Sequence, residues 1–151
     1  MLGPLPAGVK RGVWIMILLK TEYEKMLEHA RAGLPNEACG LIAGTTEDGI
    51  AKVGKAYLLT NVDASREHFS IDPKEHMEAI KDMRANVYIP LGNWQSHPET
   101  PARPSEEDKR LAYDSKALYL ILSLQNRGDP VLKAFRVIDQ TEVIQEEIFF
   151  E

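Results

Sequence analysis

Hydrophobic and polar residues alternate along the chain in two patterns. Short apolar runs bounded by Gly, Pro, Asn or Asp predict strands, and apolar positions that recur every three or four residues predict helices. The predicted strands cover residues 14–20, 39–44, 50–61, 88–97, 117–124, 131–138 and 142–150, and the predicted helices cover residues 21–32, residues 73–86 and a segment that starts at Ser105 and continues through Tyr113. This order predicts one α/β domain with a mixed, largely antiparallel sheet flanked by helices.

Polar residues mark the end of one predicted strand and the helix that follows it. Gln95 and His97 are two positions apart, so on a strand their side chains point to the same face and can converge. The connection from His97 to Asp108 contains Pro98, Pro101 and Pro104 in sequence. Each proline restricts its own φ and the residue before it, which predicts a stiff, extended loop.

The segment from Ser105 to Asp108 has a structural interpretation of its own. Ser105 is a suitable helix N-cap, and Asp108 falls at the third helical position, so the pair is typical of a capping box. Taken alone, this spacing is structural more often than catalytic. The two interpretations are compatible, because a serine hydroxyl can accept a hydrogen bond from the backbone and still donate its own proton.

These residues, taken with an upstream acid, resemble the JAMM or MPN metallopeptidases. That family is characterised by His-x-His, seven further residues, Ser, two residues and Asp, with a Glu far upstream. Here the pattern is Gln95-x-His97, seven residues, Ser105, two residues and Asp108, with Glu37 upstream in Leu34-Pro-Asn-Glu-Ala-Cys-Gly-Leu41. The resemblance extends from about residue 16 to the C-terminus and indicates a compact prokaryotic member of the family.

The resemblance implies a role for each of these residues. In the family, two histidines and an aspartate bind Zn²⁺, and a water completes an open site of the kind that catalytic zinc requires. It assigns His97 and Asp108 as zinc ligands, Glu37 as the general base and Ser105 as the donor that stabilises the oxyanion.

Gln95 stands where the family has its first metal-binding histidine. An amide offers a neutral oxygen to a metal that prefers imidazole nitrogen or thiolate sulfur, so zinc affinity should fall. Three outcomes are open: weak zinc binding through the Gln95 oxygen, a replacement ligand from elsewhere, or no metal. Natural divergence and a deliberate His→Gln substitution would give the same sequence.

The remaining histidines and the single cysteine have simpler interpretations. His29 is expected on a solvated helix face, and neither His68 nor His76 has a partner at metal-ligand spacing. Cys39 is the only cysteine, so an internal disulfide is excluded and a reducing cytoplasm is favoured. Its apolar neighbours indicate a small buried core residue rather than a nucleophile.

Composition and charge are those of one soluble domain. The chain has 151 residues, 44% of them hydrophobic, which is enough for a single core. The formal net charge of −5 argues against nonspecific nucleic-acid binding. The apolar run at residues 12–19 is too short to cross a bilayer and is closed by Lys20, so we expect no membrane segment there. Residues 1–13 are predicted to be a disordered or misassigned extension, and residues 14–151 the domain.

The resemblance implies a substrate class as well. The family hydrolyses bonds that follow the C-terminal Gly-Gly of ubiquitin-like proteins, and its compact prokaryotic members resemble enzymes that act on ubiquitin-like sulfur-carrier proteins. We therefore expect a zinc-dependent peptidase whose activity is weakened or abolished by Gln95. The alternative is a metal-free module that binds a Gly-Gly tail or a partner subunit without cutting it.

Overall fold

The protein, represented by a computed structural model, is described here for residues 15–151. Its elements, in chain order, are β1 (Ile15–Leu18), α1 (Lys20–Gly33), β2 (Cys39–Glu47), β3 (Ile50–Leu59), α2 (Pro73–Ala85), β4 (Ile89–His97), α3 (Glu106–Arg110), β5 (Leu118–Ser123), β6 (Val131–Ile138) and β7 (Glu142–Phe150). Each predicted element is present, but the predicted helix after Ser105 is shorter than expected and ends at Arg110. The predicted extension, and Trp14 at the start of the first predicted strand, lie outside the described residues.

The strands form a closed barrel in the order β1-β3-β2-β4-β5-β6-β7. Among the described strands, β1 pairs in parallel with β3 and β7, and β4 pairs in parallel with β5, while the other neighbouring pairs are antiparallel. The predicted sheet flanked by helices is therefore only partly correct, because the sheet closes on itself. Hydrophobic alternation identifies the buried face of each strand but not the strand beside it, so closure through β1 was not visible in the sequence.

Two hydrophobic clusters lie on opposite faces of the sheet. The interior cluster contains Met26 and Ala30 of α1 together with buried residues of the strands. These strand residues include Met16, Leu18, Ile42, Val53, Trp94, Leu118, Leu120 and Leu122. On the other face, Ala79 and Met83 of α2 pack with Ala43 and Tyr57. The two helices thus bury their apolar sides against different faces of the same barrel.

Close packing between β2, β3 and β4 depends on the absence of a side chain at Gly40. A Cβ atom there would lie 1.7 Å from the Tyr57 carbonyl oxygen and 2.3 Å from Trp94 Nε1. That space is used by the hydrogen bond from Trp94 Nε1 to the Tyr57 carbonyl, 3.0 Å long. The indole of Trp94 is fully buried and fixes β4 against its neighbours.

The pairing of β2 with β4 positions the candidate site. These strands are antiparallel with Cys39 opposite Gln95. The pairing continues beyond the start of β2, because the Ser96 N–H donates to the Ala38 carbonyl at 2.9 Å and the Ala38 N–H donates to Ser96 Oγ at 2.7 Å. The same register places Glu37 opposite His97, although sixty positions separate them in the sequence.

In the described residues, no helix is both long and apolar enough to span a membrane.

Candidate functional site

Gln95, His97 and Asp108 meet at the end of β4. His97 Nε2 lies 3.2 Å from Gln95 Oε1 and 3.3 Å from Asp108 Oδ2. Gln95 and His97 are 3% and 5% exposed, so the cluster is almost closed to solvent. The structure therefore brings together the two strand residues and the helix residue that the sequence motif singled out.

The loop after β4 orients the imidazole of His97. His97 Nδ1 lies 3.0 Å from the Pro101 carbonyl oxygen. A carbonyl can only accept, so Nδ1 carries the proton of this hydrogen bond, and Nε2 is the nitrogen that faces Gln95 and Asp108. Ser123 Oγ holds the same loop by donating to the Thr100 carbonyl at 2.6 Å.

The His97–Asp108 contact has the electrostatics of an ion pair. Burial lowers the pKa of His97, but its hydrogen bonds to Asp108 and Pro101 outweigh burial, and the pKa is raised overall. Burial raises the pKa of Asp108, yet hydrogen bonds from His97, the Ser105 backbone and Gln95 lower it overall. In the absence of a metal, the charged forms of His97 and Asp108 are both favoured.

Ser105 and Asp108 form the predicted capping box at the start of α3. The Asp108 N–H donates to Ser105 Oγ at 3.0 Å, and the Ser105 N–H donates to Asp108 Oδ2 at 2.8 Å. The carboxylate that approaches His97 is therefore held by its own helix terminus. Ser105 is exposed, and its hydroxyl proton remains available to a ligand.

Glu37 is buried beside this cluster. It is 4% exposed, and its Oε1 atom has no hydrogen-bond partner among the described residues. Burial raises the pKa of Glu37 to about 8, with nearby His97 lowering it and nearby Asp108 raising it. Glu37 also lines a cavity of about 270 Å³ together with His29 and Asn61.

The donor set around His97 fits zinc only weakly. Ligands bound tetrahedrally at about 2.0–2.1 Å are separated by about 3.3–3.4 Å, which is close to the distances from His97 Nε2 to its two neighbours. However, one of those neighbours is the neutral amide oxygen of Gln95. Among residues 15–151, no group of three His, Cys, Asp or Glu side chains is arranged to hold a metal ion.

A groove of about 300 Å³ leads away from Gln95 and Asp108 along the outer face of the barrel. It is lined by residues of β4, β5 and β6, by residues 68–71 and by the segment around α3. The lining residues with apolar side chains are Phe69, Ile71, Pro104, Leu111, Ile121 and Val137, and those with polar groups are His68, Ser70, Asn93, Gln95, Glu107, Asp108 and Tyr119.

Asn61, in the connection between β3 and α2, was missed by the sequence analysis as a residue of this region. Asn61 Nδ2 donates to the carbonyls of Glu37 and His68, each at 3.0 Å. Its Oδ1 accepts from the N–H groups of Asp63 at 3.1 Å and Ser70 at 3.2 Å. An asparagine at the end of a predicted strand was the only available signal, and such residues are common in turns.

The other histidines do not join the cluster. His29 was predicted to be solvated, which is wrong: it is half-buried, its Nε2 lies 2.9 Å from the Leu59 carbonyl oxygen, and its ring packs edge-on against Trp94. The structure places this side of α1 over the end of β3, which the helical pattern did not reveal. His68 is exposed and pairs with Asp63 at 3.1 Å, and His76 is also exposed.

Cys39 is fully buried, as predicted. Burial raises the pKa of its thiol to about 12. A thiol that stays protonated is a poor nucleophile, so Cys39 acts as a core residue.

Comparison with known proteins finds relatives along most of the chain. Residues 20–138 match the family described as prokaryotic homologs of the JAB domain. The CysO-cysteine peptidase of Mycobacterium tuberculosis is 28% identical over 130 residues, which are 86% of this chain and 88% of that protein. The desampylase of Haloferax volcanii is 31% identical over 109 residues, covering 69% of this chain and 77% of that protein.

Solved structures show the same fold. A protein from Desulfitobacterium hafniense superimposes with a TM-score of 0.83 at 50% identity, over 90% of this chain and 92% of that one. A protein from Salinibacter ruber superimposes with a TM-score of 0.68 at 27% identity and the same coverage. The chain therefore belongs to the prokaryotic JAB branch of the JAMM/MPN family.

Proposed function

We propose that this protein is a peptidase that hydrolyses the bond following the C-terminal Gly-Gly of a ubiquitin-like sulfur-carrier protein, with weakly bound zinc as its cofactor. The observation that carries this proposal is the buried Oε1 of Glu37, which has no hydrogen-bond partner among residues 15–151, opposite the His97–Asp108 pair. A buried acceptor without a partner costs free energy, and a structural role does not explain it. The relatives named CysO-cysteine peptidase and desampylase support the substrate class.

His97 and Asp108 would hold the metal, with Gln95 supplying a weak oxygen ligand. Both strong donors are held by hydrogen bonds to the backbone, at Pro101 and Ser105, as metal ligands commonly are. When bound, zinc would lower the pKa of a water and polarise the scissile carbonyl. The amide at Gln95 makes the expected affinity low, so we propose an enzyme whose activity is small unless metal is abundant.

Glu37 is proposed to take the proton from the attacking water and pass it to the leaving amine. Its pKa of about 8 keeps the carboxyl group largely protonated at neutral pH in the protein without metal. A cation close to it would lower that pKa and leave it ionised, ready to act as a base.

Ser105 is proposed to stabilise the negative charge that develops on the carbonyl oxygen. Its Oγ accepts from the Asp108 N–H at 3.0 Å, so the hydroxyl proton can be donated to the substrate. Removal of such a donor typically lowers the rate by about 10²–10³-fold. The groove beside Gln95 and Asp108 would receive the extended tail of the carrier. Cys39 is the single cysteine, which is compatible with a function in a reducing cytoplasm.

A second candidate function is a metal-free module that binds the same tail without cutting it. This candidate is favoured by the contacts of Gln95, which lies 3.2 Å from His97 Nε2 and hydrogen-bonds Asp108. The three side chains satisfy one another without a cation.

The two candidates are separated by measuring zinc per chain and cleavage of a sulfur-carrier fusion in the wild-type protein and in Gln95→His. The proposal predicts measurable cleavage by the wild-type protein in excess zinc, and at least about tenfold tighter zinc binding in Gln95→His because imidazole replaces an amide. Zinc-independent tail binding with no wild-type cleavage would instead support the binding module. If neither form bound zinc, the site assignment would be refuted.

A further inference from the structure

Asn93 is a polar residue of the groove whose side chain has no hydrogen-bond partner among residues 15–151. It lies on β4 two positions before Gln95, so both side chains are on the same face of the strand. Its Oδ1 is buried and accepts no hydrogen bond, and its amide donates none to another described residue. Asn93 lines the groove together with Gln95 and Asp108.

The neighbouring strands do not satisfy this amide. Asn93 pairs with Leu41 on β2 and with Tyr119 on β5. Leu41 is apolar, and the Tyr119 hydroxyl donates to the Asp114 carbonyl instead, at 3.3 Å. A buried polar group left unsatisfied is destabilising, so an amide retained at this position indicates a ligand that completes its hydrogen bonds.

The position of Asn93 matches an extended peptide that ends at the candidate site. Two residues of a strand span about 6.6–6.8 Å, so Asn93 lies that far from Gln95 along β4. A peptide lying along the groove would present main-chain groups to Asn93 about two residues from the bond at the site. A side-chain amide can accept from a peptide N–H and donate to a peptide carbonyl.

We propose that Asn93 is a specificity-determining residue whose amide hydrogen-bonds the main chain of an extended, glycine-containing substrate segment. This inference rests on the proposed function, because it assumes that the groove receives a tail next to the scissile bond. A direct contact between an amide and the main chain requires close approach, which favours glycine over residues with a Cβ atom.

The test measures binding separately from cleavage. A short fluorescent peptide in which Gly-Gly is followed by alanine is titrated into metal-free wild-type protein and into Asn93→Leu, with fluorescence anisotropy as the signal. Each glycine is then replaced in turn by sarcosine, in which an N-methyl group takes the place of the amide hydrogen and the N–H donor is lost. The melting temperature of each protein variant is measured in parallel.

The expected results differ in direction for affinity and stability. Asn93→Leu should weaken peptide binding about five- to tenfold because a hydrogen bond is lost, yet raise the melting temperature because no unpaired polar group stays buried. One sarcosine substitution should weaken wild-type binding by a similar factor and have less than about a twofold effect on Asn93→Leu. Gln145→Leu, which makes the same kind of change at an exposed amide on β7 outside the groove, is the matched control and should bind like wild type.

The outcomes distinguish the inference from the proposed function. If wild type binds the peptide and Asn93→Leu binds equally well, the assignment of Asn93 is overturned while the proposed function stands. If sarcosine weakened binding equally in wild type and in Asn93→Leu, the assignment of Asn93 would also be overturned, because Asn93 would then not contact the peptide N–H directly. Absence of wild-type binding to any Gly-Gly peptide would overturn both.

Discussion

Compared with the histidine of the family motif, Gln95 is a chemically weaker metal ligand, but its side chain still reaches the same site. Gln95 is presented by the same strand face as His97, and its Oε1 reaches within 3.2 Å of the imidazole. An amide oxygen is nevertheless a much weaker zinc ligand than an imidazole nitrogen. The consequence is a site in which two donors are well oriented and the third determines whether metal binds.

Glu37→Gln should stabilise the metal-free protein at alkaline pH. The pKa of Glu37 is raised by burial to about 8, so between about pH 4.5 and pH 8 the unfolded chain ionises while the folded carboxyl group stays protonated. Stability is therefore lost as pH rises through this window. The neutral amide removes that loss, and we expect a gain of about 2 kcal/mol in the free energy of unfolding at pH 9, measured by urea denaturation with chelator present.

Glu28→Gln is the control for this measurement. Glu28 is exposed on α1, so its substitution should leave the shape of the pH profile unchanged. A Glu37→Gln profile that ran parallel to wild type from pH 5 to pH 9 would contradict the burial argument.

At the scale of elements, the connection between β3 and α2 links the groove wall to Glu37. Asn61 bonds the Glu37 carbonyl and three positions of this connection at once. Asp63 adds hydrogen bonds from Ser70 Oγ at 2.8 Å and from His68. The segment is therefore ordered by polar contacts of its own rather than by burial in the core.

Asn61→Ala should loosen this connection without unfolding the barrel. We expect faster amide hydrogen exchange for residues 61–71 and for Glu37, unchanged exchange in the centres of β4 and β5, and a loss of about 1–2 kcal/mol in stability. Hydrogen exchange followed by mass spectrometry or NMR provides the measurement. Arg66→Ala, an exposed change in the same connection, should leave exchange as in wild type, and equal exchange in Asn61→Ala would argue against the role of Asn61.

For the whole molecule, closure of the barrel depends on β1, which joins the half of the sheet that contains β2 and β3 to the half that contains β6 and β7. β1 pairs with β3 on one side and β7 on the other, and the Glu151 N–H donates to the Leu18 carbonyl at 2.9 Å. The fully buried Leu18 side chain also belongs to the cluster that includes Met26 of α1. We infer that the barrel and α1 unfold as one cooperative unit.

Leu18→Ala should lower the free energy of unfolding by about 3 kcal/mol through loss of packing and the cavity that remains. For this variant, calorimetry and circular dichroism should still each report a single transition, and the two methods should give the same melting temperature. Leu58→Ala serves as the comparison, because Leu58 is 39% exposed and its loss should cost less than about 1 kcal/mol. Two resolved transitions in Leu18→Ala would show that the barrel halves unfold separately.

The local sequence determined the elements and the residues at the end of β4. Short apolar runs bounded by turn residues located every described strand, since burial of a strand requires apolar side chains in the sequence itself. The spacing of Gln95 and His97, and the Ser105–Asp108 capping box, also depend only on local geometry. Tyr113 lies beyond the end of the short α3, because a continuing polar and apolar pattern does not by itself specify where a helix stops.

Tertiary structure alone decided which distant residues meet. The register of β2 against β4 brings Glu37 opposite His97, and the closure of the sheet through β1 creates an outer face with a groove. Packing of α1 against Trp94 left His29 half-buried, although the helical pattern had placed it in solvent. The sequence of β4 likewise did not show whether the Asn93 side chain has a hydrogen-bond partner, because side-chain hydrogen bonds depend on neighbours that only the fold supplies.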